Sequence, residues 1–239
     1  FTQDESLARF TNTDNPHAGS YASYLALVRS GLQEPASQHS DHYTTNRAYS
    51  TAAYSMGSML LNQLKYIMGG ETFYRAMRNY YNAWKFRHPE PNDFIRVMEK
   101  TSGLSLSWFM RYWINTTKRI DYAIKQVVPQ NNKTFVVLER IGELPMPVEL
   151  TVTYRNGTRE VYYLPVNEML GSKMTPGTGW VTLTAWPWVN PTYTVEINTA
   201  IGEIASLEID AGQQTADIDR KNNRLDLGAE LKGYADPTR

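Results

Sequence analysis

The chain changes its hydrophobic period once, near Thr117, and that change limits the folds open to it more than any other feature. Before it, apolar residues recur at three-and-four spacing, as on helix faces; after it they alternate, as on strands with one buried side. A chain so divided cannot be one uniform bundle or one barrel. It predicts an α+β multidomain protein with a helical subdomain over residues 1–117, a β-sandwich over 118–211 and a polar C-terminal extension over 212–239.

In the first part, the stretch from Phe1 to about Ser50 reads as loops around one short helix, Ser20 to Ser30, with Tyr21, Tyr24, Leu25 and Val28 on its apolar face. Ala53, Met56, Met59, Leu60, Leu64 and Ile67 then form a stripe that predicts a long helix ending near Met68, where Gly69-Gly70 supplies a left-handed stop. Phe73, Met77, Tyr80, Tyr81 and Trp84 predict a second helix closed by the Pro89 to Pro91 stretch. Pro91-Asn92-Asp93 starts a third, with Phe94, Val97, Met98 and Thr101 inward and Gly103 as its stop. A fourth runs from Ser105 to Ile114, with Leu106, Phe109, Met110 and Trp113 inward and a serine to cap it.

In the second part, strands are predicted around Ile120 to Ile124, Thr134 to Arg140, Val148 to Tyr154, Glu160 to Leu164, Trp180 to Leu183, Tyr193 to Ile197 and Ser206 to Ile209. Arg155-Asn156-Gly157-Thr158 is a hairpin turn between two of them, so antiparallel pairing follows. Short strands at such intervals suit a sandwich. From Gly212 on, the residues are polar and charged, and this tail is expected to pack on something else or stay mobile.

Composition removes whole classes of function. Lys+Arg 24 balances Asp+Glu 24 with no basic run, which argues against a nucleic-acid partner. No apolar run approaches the roughly 20 residues needed to span a bilayer, so no transmembrane segment is expected and a soluble chain is. The absence of cysteine excludes disulfides, thiolate nucleophiles and cysteine zinc sites. The sequons at Asn115, Asn132 and Asn156 are too short a signal to assign a compartment, which stays open, with periplasm and export among the readings. A start at Phe1 rather than Met suggests a trimmed, processed or excised piece.

Motif searches narrow the chemistry further. The four histidines, His17, His39, His42 and His88, are none of them followed by Glu, so the helical His-Glu-x-x-His zinc motif is missing. His39 and His42, three apart beside Asp41, read as a solvated polar loop because no apolar stripe would hold them on a helix. Asp210, Asp217 and Asp219 lack the ligand ladder of a calcium loop and read as turn caps. No phosphate loop, nucleophile elbow or dinucleotide fingerprint occurs. The methionines of the helical stripes read as core filling, and Trp84, Trp108, Tyr112 and Trp113 as either core or groove.

One hydroxyl remains, Tyr54. Its surroundings, Tyr54-Ser55-Met56-Gly57, Leu61, Leu64, Gly69, Phe73, Asp93-Phe94, Glu99, Ser102-Gly103 and Phe109 with Trp113, resemble the aminopeptidase N family of zinc metallopeptidases, the gluzincin aminopeptidases. The register holds when counted from Tyr54 and breaks when counted from Tyr49. The resemblance covers about Tyr54 to Thr117. It implies that the helical part is the C-terminal half of a thermolysin-like catalytic domain and that an antiparallel sandwich follows it. It also implies a parent aminopeptidase acting on peptide substrates. In that family Tyr54 would donate to the oxyanion of the tetrahedral intermediate. The zinc, its ligands, the glutamate base and the substrate-amine anchors would come from an upstream catalytic half of the same protein, leaving this fragment metal-free and inactive by itself. Ser55 and Met56 stand where the family commonly has Glu-Lys, so roles of those side chains do not carry over. A non-catalytic, peptidase-derived binding or scaffold module is the alternative.

Overall fold

The structure is a computed structural model and describes residues 1–11 and 15–230. It divides into two compact units. The helical unit comprises Phe1–Arg119 with two returning segments, Glu168–Met174 and Gln214–Ile218; the β unit comprises the rest.

Three helices occupy the first fifty residues, where the apolar pattern predicts one. The predicted one is α2 (Ala18–Ser30), which buries Tyr24, Leu27 and Val28 and stops at Gly31, φ 71°. The others are α1 (Thr2–Thr11) and α3 (Asn46–Ser50). No apolar stripe announces α1 because charge holds it: Glu5 accepts from Lys65 Nζ at 2.8 Å and Tyr74 Oη at 2.6 Å, and Asp4 accepts from Ser58 Oγ at 3.0 Å. Thr45 caps α3 by accepting from the Ala48 amide at 3.1 Å.

Beyond α3 the chain passes without a break through a six-residue π-helix, Thr51–Met56, into α4 (Gly57–Met68), which ends at Gly69, φ 79°. Then come α5 (Gly70–Trp84), α6 (Pro91–Ser102) and α7 (Ser107–Asn115). Pro91 opens α6, Asp93 closes a capping box by accepting from the Glu90 amide at 2.9 Å, and Gly103, φ 73°, ends it. The cap of α7 differs from the expected serine. Glu99, on α6, accepts at one oxygen from the amides of Leu106 at 2.8 Å and Ser107 at 3.0 Å and from Ser107 Oγ at 2.9 Å.

The returning segments are hydrogen-bonded into the helical unit. Lys173 Nζ donates to the Tyr66 carbonyl in the last turn of α4 at 2.9 Å, and the Ser105 amide donates to Met169 O at 2.9 Å. The fully buried Gln63 donates to Gln214 O at 3.0 Å and accepts from the Ala216 amide at 3.0 Å, and Asn62 also donates to Gln214 O.

The β unit contains strands β1 (Tyr122–Gln130), β2 (Lys133–Arg140), β3 (Val148–Tyr154), β4 (Arg159–Leu164), β5 (Trp180–Thr182), β6 (Thr192–Ile197), β7 (Ile204–Ile209) and β8 (Arg224–Asp226). A three-stranded antiparallel sheet has the order β1-β2-β6 and a five-stranded sheet the order β5-β4-β3-β7-β8; β1 lies against β7 and β8 across the two. Alternation sets the faces: Val136 and Leu138 of β2 and Leu150 and Val152 of β3 are buried while their neighbours are not. The predicted hairpin turn forms at Gly157, φ 85°, and an unpredicted one forms at Asn131-Asn132, both left-handed, which asparagine tolerates.

One expectation changes here. The second sheet is not wholly antiparallel, because β5 pairs with β4 in parallel, Tyr162 opposite Val181. Of the two states expected for the polar tail, packing is the one seen as far as Glu230. Residues 214–218 are bound into the helical unit, and β8 adds to the sheet edge through Leu207 opposite Leu225. The direction in which β5 pairs leaves no mark in a strand's period, and the contacts of the tail, made by backbone and amide hydrogen bonds, leave no hydrophobic one. The last nine positions of the predicted extension lie outside the described residues.

Candidate active site

Tyr54 lies in the π-helix, in mid-run between α3 and α4. A π turn holds more residues than an α turn, so it advances the facing register by about one position. Ala52 is therefore buried where the α period points to Ala53, which is exposed. Thr51, Ala52 and Met56 face inward, and Tyr54, half a turn from Met56, faces out with 75% of its surface accessible. Its hydroxyl makes no hydrogen bond among the described residues. Gly57, one turn further on, leaves open space beside it, where an added Cβ would meet nothing within 4 Å.

The turn beneath Tyr54 is fixed from below. Trp113 Nε1 on α7 donates to the Met56 carbonyl at 3.2 Å, and the Trp113 ring stacks on Tyr24 and Phe109 with centroids 5.7 and 5.8 Å apart. Trp108 and Trp113 are thus core residues, as are Met56, Met59, Met68 and Met98. Met56 replaces a family lysine at a position that this packing buries. A groove of about 680 Å³ runs along the Ala52, Met56 and Leu60 face of the same helix, bounded by Ile95, Arg111 and Trp113; Tyr54 is not in its wall.

The histidines do not assemble. His17 is buried and held between Asp4 at 3.4 Å and Glu5 at 3.3 Å. His39 and His42 lie on an exposed 3-10 turn, His39 accepting from the Asp41 amide at 3.3 Å, and His88 is exposed. Among the described residues no group of three or more His, Asp or Glu side chains is arranged to hold a metal ion. Asp219 caps a 3-10 turn by accepting from the Lys221 amide at 3.2 Å.

The charged group around Glu5 gives no apolar signal for a sequence reading to find. Burial alone would raise the Glu5 carboxyl, but hydrogen bonds from Lys65 and Tyr74 outweigh it and hold the group at about 2. The same balance raises the Tyr74 hydroxyl, through burial and then Glu5. A signal does exist in hindsight, because Asp4 and Glu5 in a helical first turn favour the positive end of its dipole.

Residues 19–113 match the Peptidase family M1 domain, which bears out the resemblance over the helical unit. The chain is 27% identical over 95 residues to the alanine/arginine aminopeptidase of Saccharomyces cerevisiae, covering 40% of this chain and 11% of that protein. It is 25% identical over 120 residues to the tricorn protease-interacting factor F2 of Thermoplasma acidophilum, covering 48% of this chain and 15% of that protein. The matched part is thus a small share of the length of either relative. A solved structure, Legionella pneumophila aminopeptidase A in complex with aspartic acid, superposes with a TM-score of 0.48 and 12% identity over 82% of this chain and 21% of that one. No helix among the described residues is long and apolar enough to cross a membrane.

Proposed function

We propose that this chain is the C-terminal part of a zinc-dependent aminopeptidase and that Tyr54 is its catalytic hydrogen-bond donor. The observation that carries this reading is the peptidase match over residues 19–113, a span that includes Tyr54, the residue from which the sequence resemblance counts. The exposure of Tyr54 supports it, since a phenol that reaches neither the core nor a protein acceptor is free to meet a substrate.

No group among the described residues of this chain fits a zinc ion; in this reading the remainder of the protein binds the zinc and supplies the general base. The contribution of this chain is the oxyanion contact. As a peptide carbonyl becomes tetrahedral its oxygen gains negative charge, and a phenolic O–H held in place donates more strongly to that oxyanion than to the ground-state carbonyl. The buried Thr51, Ala52 and Met56, and the indole bonded to the Met56 carbonyl, hold the backbone turn from which the Tyr54 side chain projects. The natural peptide substrates are those of the whole protein, and the chain by itself is inactive.

The test is Tyr54→Phe in the whole protein, assayed on an aminoacyl p-nitroanilide. Turnover should fall by about 100-fold or more with KM little changed, because the lost contact belongs to the transition state. Thermal unfolding should not move, since the hydroxyl contributes nothing to packing. A variant with wild-type turnover would remove Tyr54 from the chemistry, and a whole protein with no turnover at all would leave a binding or scaffold module.

A further inference from the structure

The β unit holds a polar cavity of about 490 Å³ that the peptidase reading does not use. Its size falls within the range of small-ligand sites. Tyr154, Glu160, Tyr162 and Glu203 form its chemistry, together with the side chains of Asn198 and Thr199, and no lysine, arginine or histidine lines it. The formal charge of the wall is therefore that of two carboxylates.

The wall is ordered around Glu160. Both phenols donate to the same carboxylate oxygen, Tyr154 at 2.5 Å and Tyr162 at 3.2 Å, so the second oxygen keeps its acceptor capacity for something else. Burial first, then the neighbouring phenol and carboxylate, raise the Tyr162 hydroxyl, which keeps it a proton donor. Arg155 and Arg159 adjoin wall residues in sequence but do not line the pocket, and Arg155 Nε donates to Gly202 O at 2.6 Å.

We propose that this cavity binds the cationic side chain, arginine or lysine, of a peptide segment. A carboxylate aligned by two hydroxyls accepts charge-assisted hydrogen bonds from a guanidinium or ammonium, and Glu203 adds a second negative charge. An anionic ligand meets two like charges. A sugar needs an open aromatic face to stack on, whereas Tyr162 is only 7% exposed and both phenols are tied to Glu160. This site stands independently of the peptidase assignment.

The test titrates the full chain with acetyl-Gly-Arg-Gly-amide, its lysine and glutamine analogues, and maltotriose, read by amide chemical shifts. The arginine and lysine peptides should bind saturably, with shifts confined to the cavity wall, and should weaken with added salt. Glu203→Gln and Glu160→Gln should each weaken binding roughly fivefold to tenfold; the second keeps an acceptor for both phenols, so the fold survives. Equal binding of the glutamine peptide, binding of maltotriose instead, unchanged affinity in both variants, or no saturable binding of any peptide would each overturn the proposal.

Discussion

Tyr54 and Glu5 show how one side chain is set by the element under it and by the charges around it. Tyr54 points outward because a π turn places Ala52 and Met56 inward, so the loss expected for Tyr54→Phe belongs to turnover and not to stability. Glu5 is the opposite case. Its carboxyl, held at about 2 against an ordinary 4.5, binds fewer protons folded than unfolded, so its contribution is complete above pH 4.5 and disappears as pH falls toward 2. The urea midpoint of the chain should therefore drop across that window. Glu5→Gln should be less stable at neutral pH by about 1–2 kcal/mol, and the gap to wild type should close as the pH falls. A gap that is constant with pH would show that the ion pair with Lys65 contributes nothing.

Among the elements, α7 depends on a residue outside itself. Three donors at its start converge on one oxygen of Glu99, so Glu99→Ala should cost about 1–2 kcal/mol by differential scanning calorimetry, whereas Ser105→Ala should cost far less. Equal losses would return the cap to the serine. The two helix stops at Gly69 and Gly103 and the Pro91 start were legible because each needs a particular backbone conformation that few residues supply. The cap was not, since a carboxylate seven residues upstream enters no local pattern. Nor were α1 and β8, whose hydrogen-bonded and charged contacts give no hydrophobic period.

For the whole molecule, the consequential contacts join residues far apart in sequence. Gln63 exchanges hydrogen bonds with residues 214 and 216 from within the core of the helical unit. A chain ended at residue 211 would leave that buried amide without partners and strip β8 from the sheet edge. Its urea midpoint should fall below that of the full chain, with binding of an apolar dye. An unchanged midpoint would mean that residues 214–218 contribute nothing to the unit they join. The helical unit already exposes Tyr81 and the nearly bare Phe86 of the α5 end, surface that such a dye would also report.

By itself the sequence determined the α-then-β order, the stops of α4 and α6, the Pro91 start of α6 and most strands. Each rests on a period or on a backbone constraint local to a few residues. Only the tertiary structure decided that Tyr54 faces outward, that Glu99 caps α7, that Trp108 and Trp113 are core, and that residues 214–218 belong to the helices. Those outcomes depend on which distant groups meet, and a hydrogen bond or ion pair across many residues leaves no trace in the spacing of hydrophobic ones.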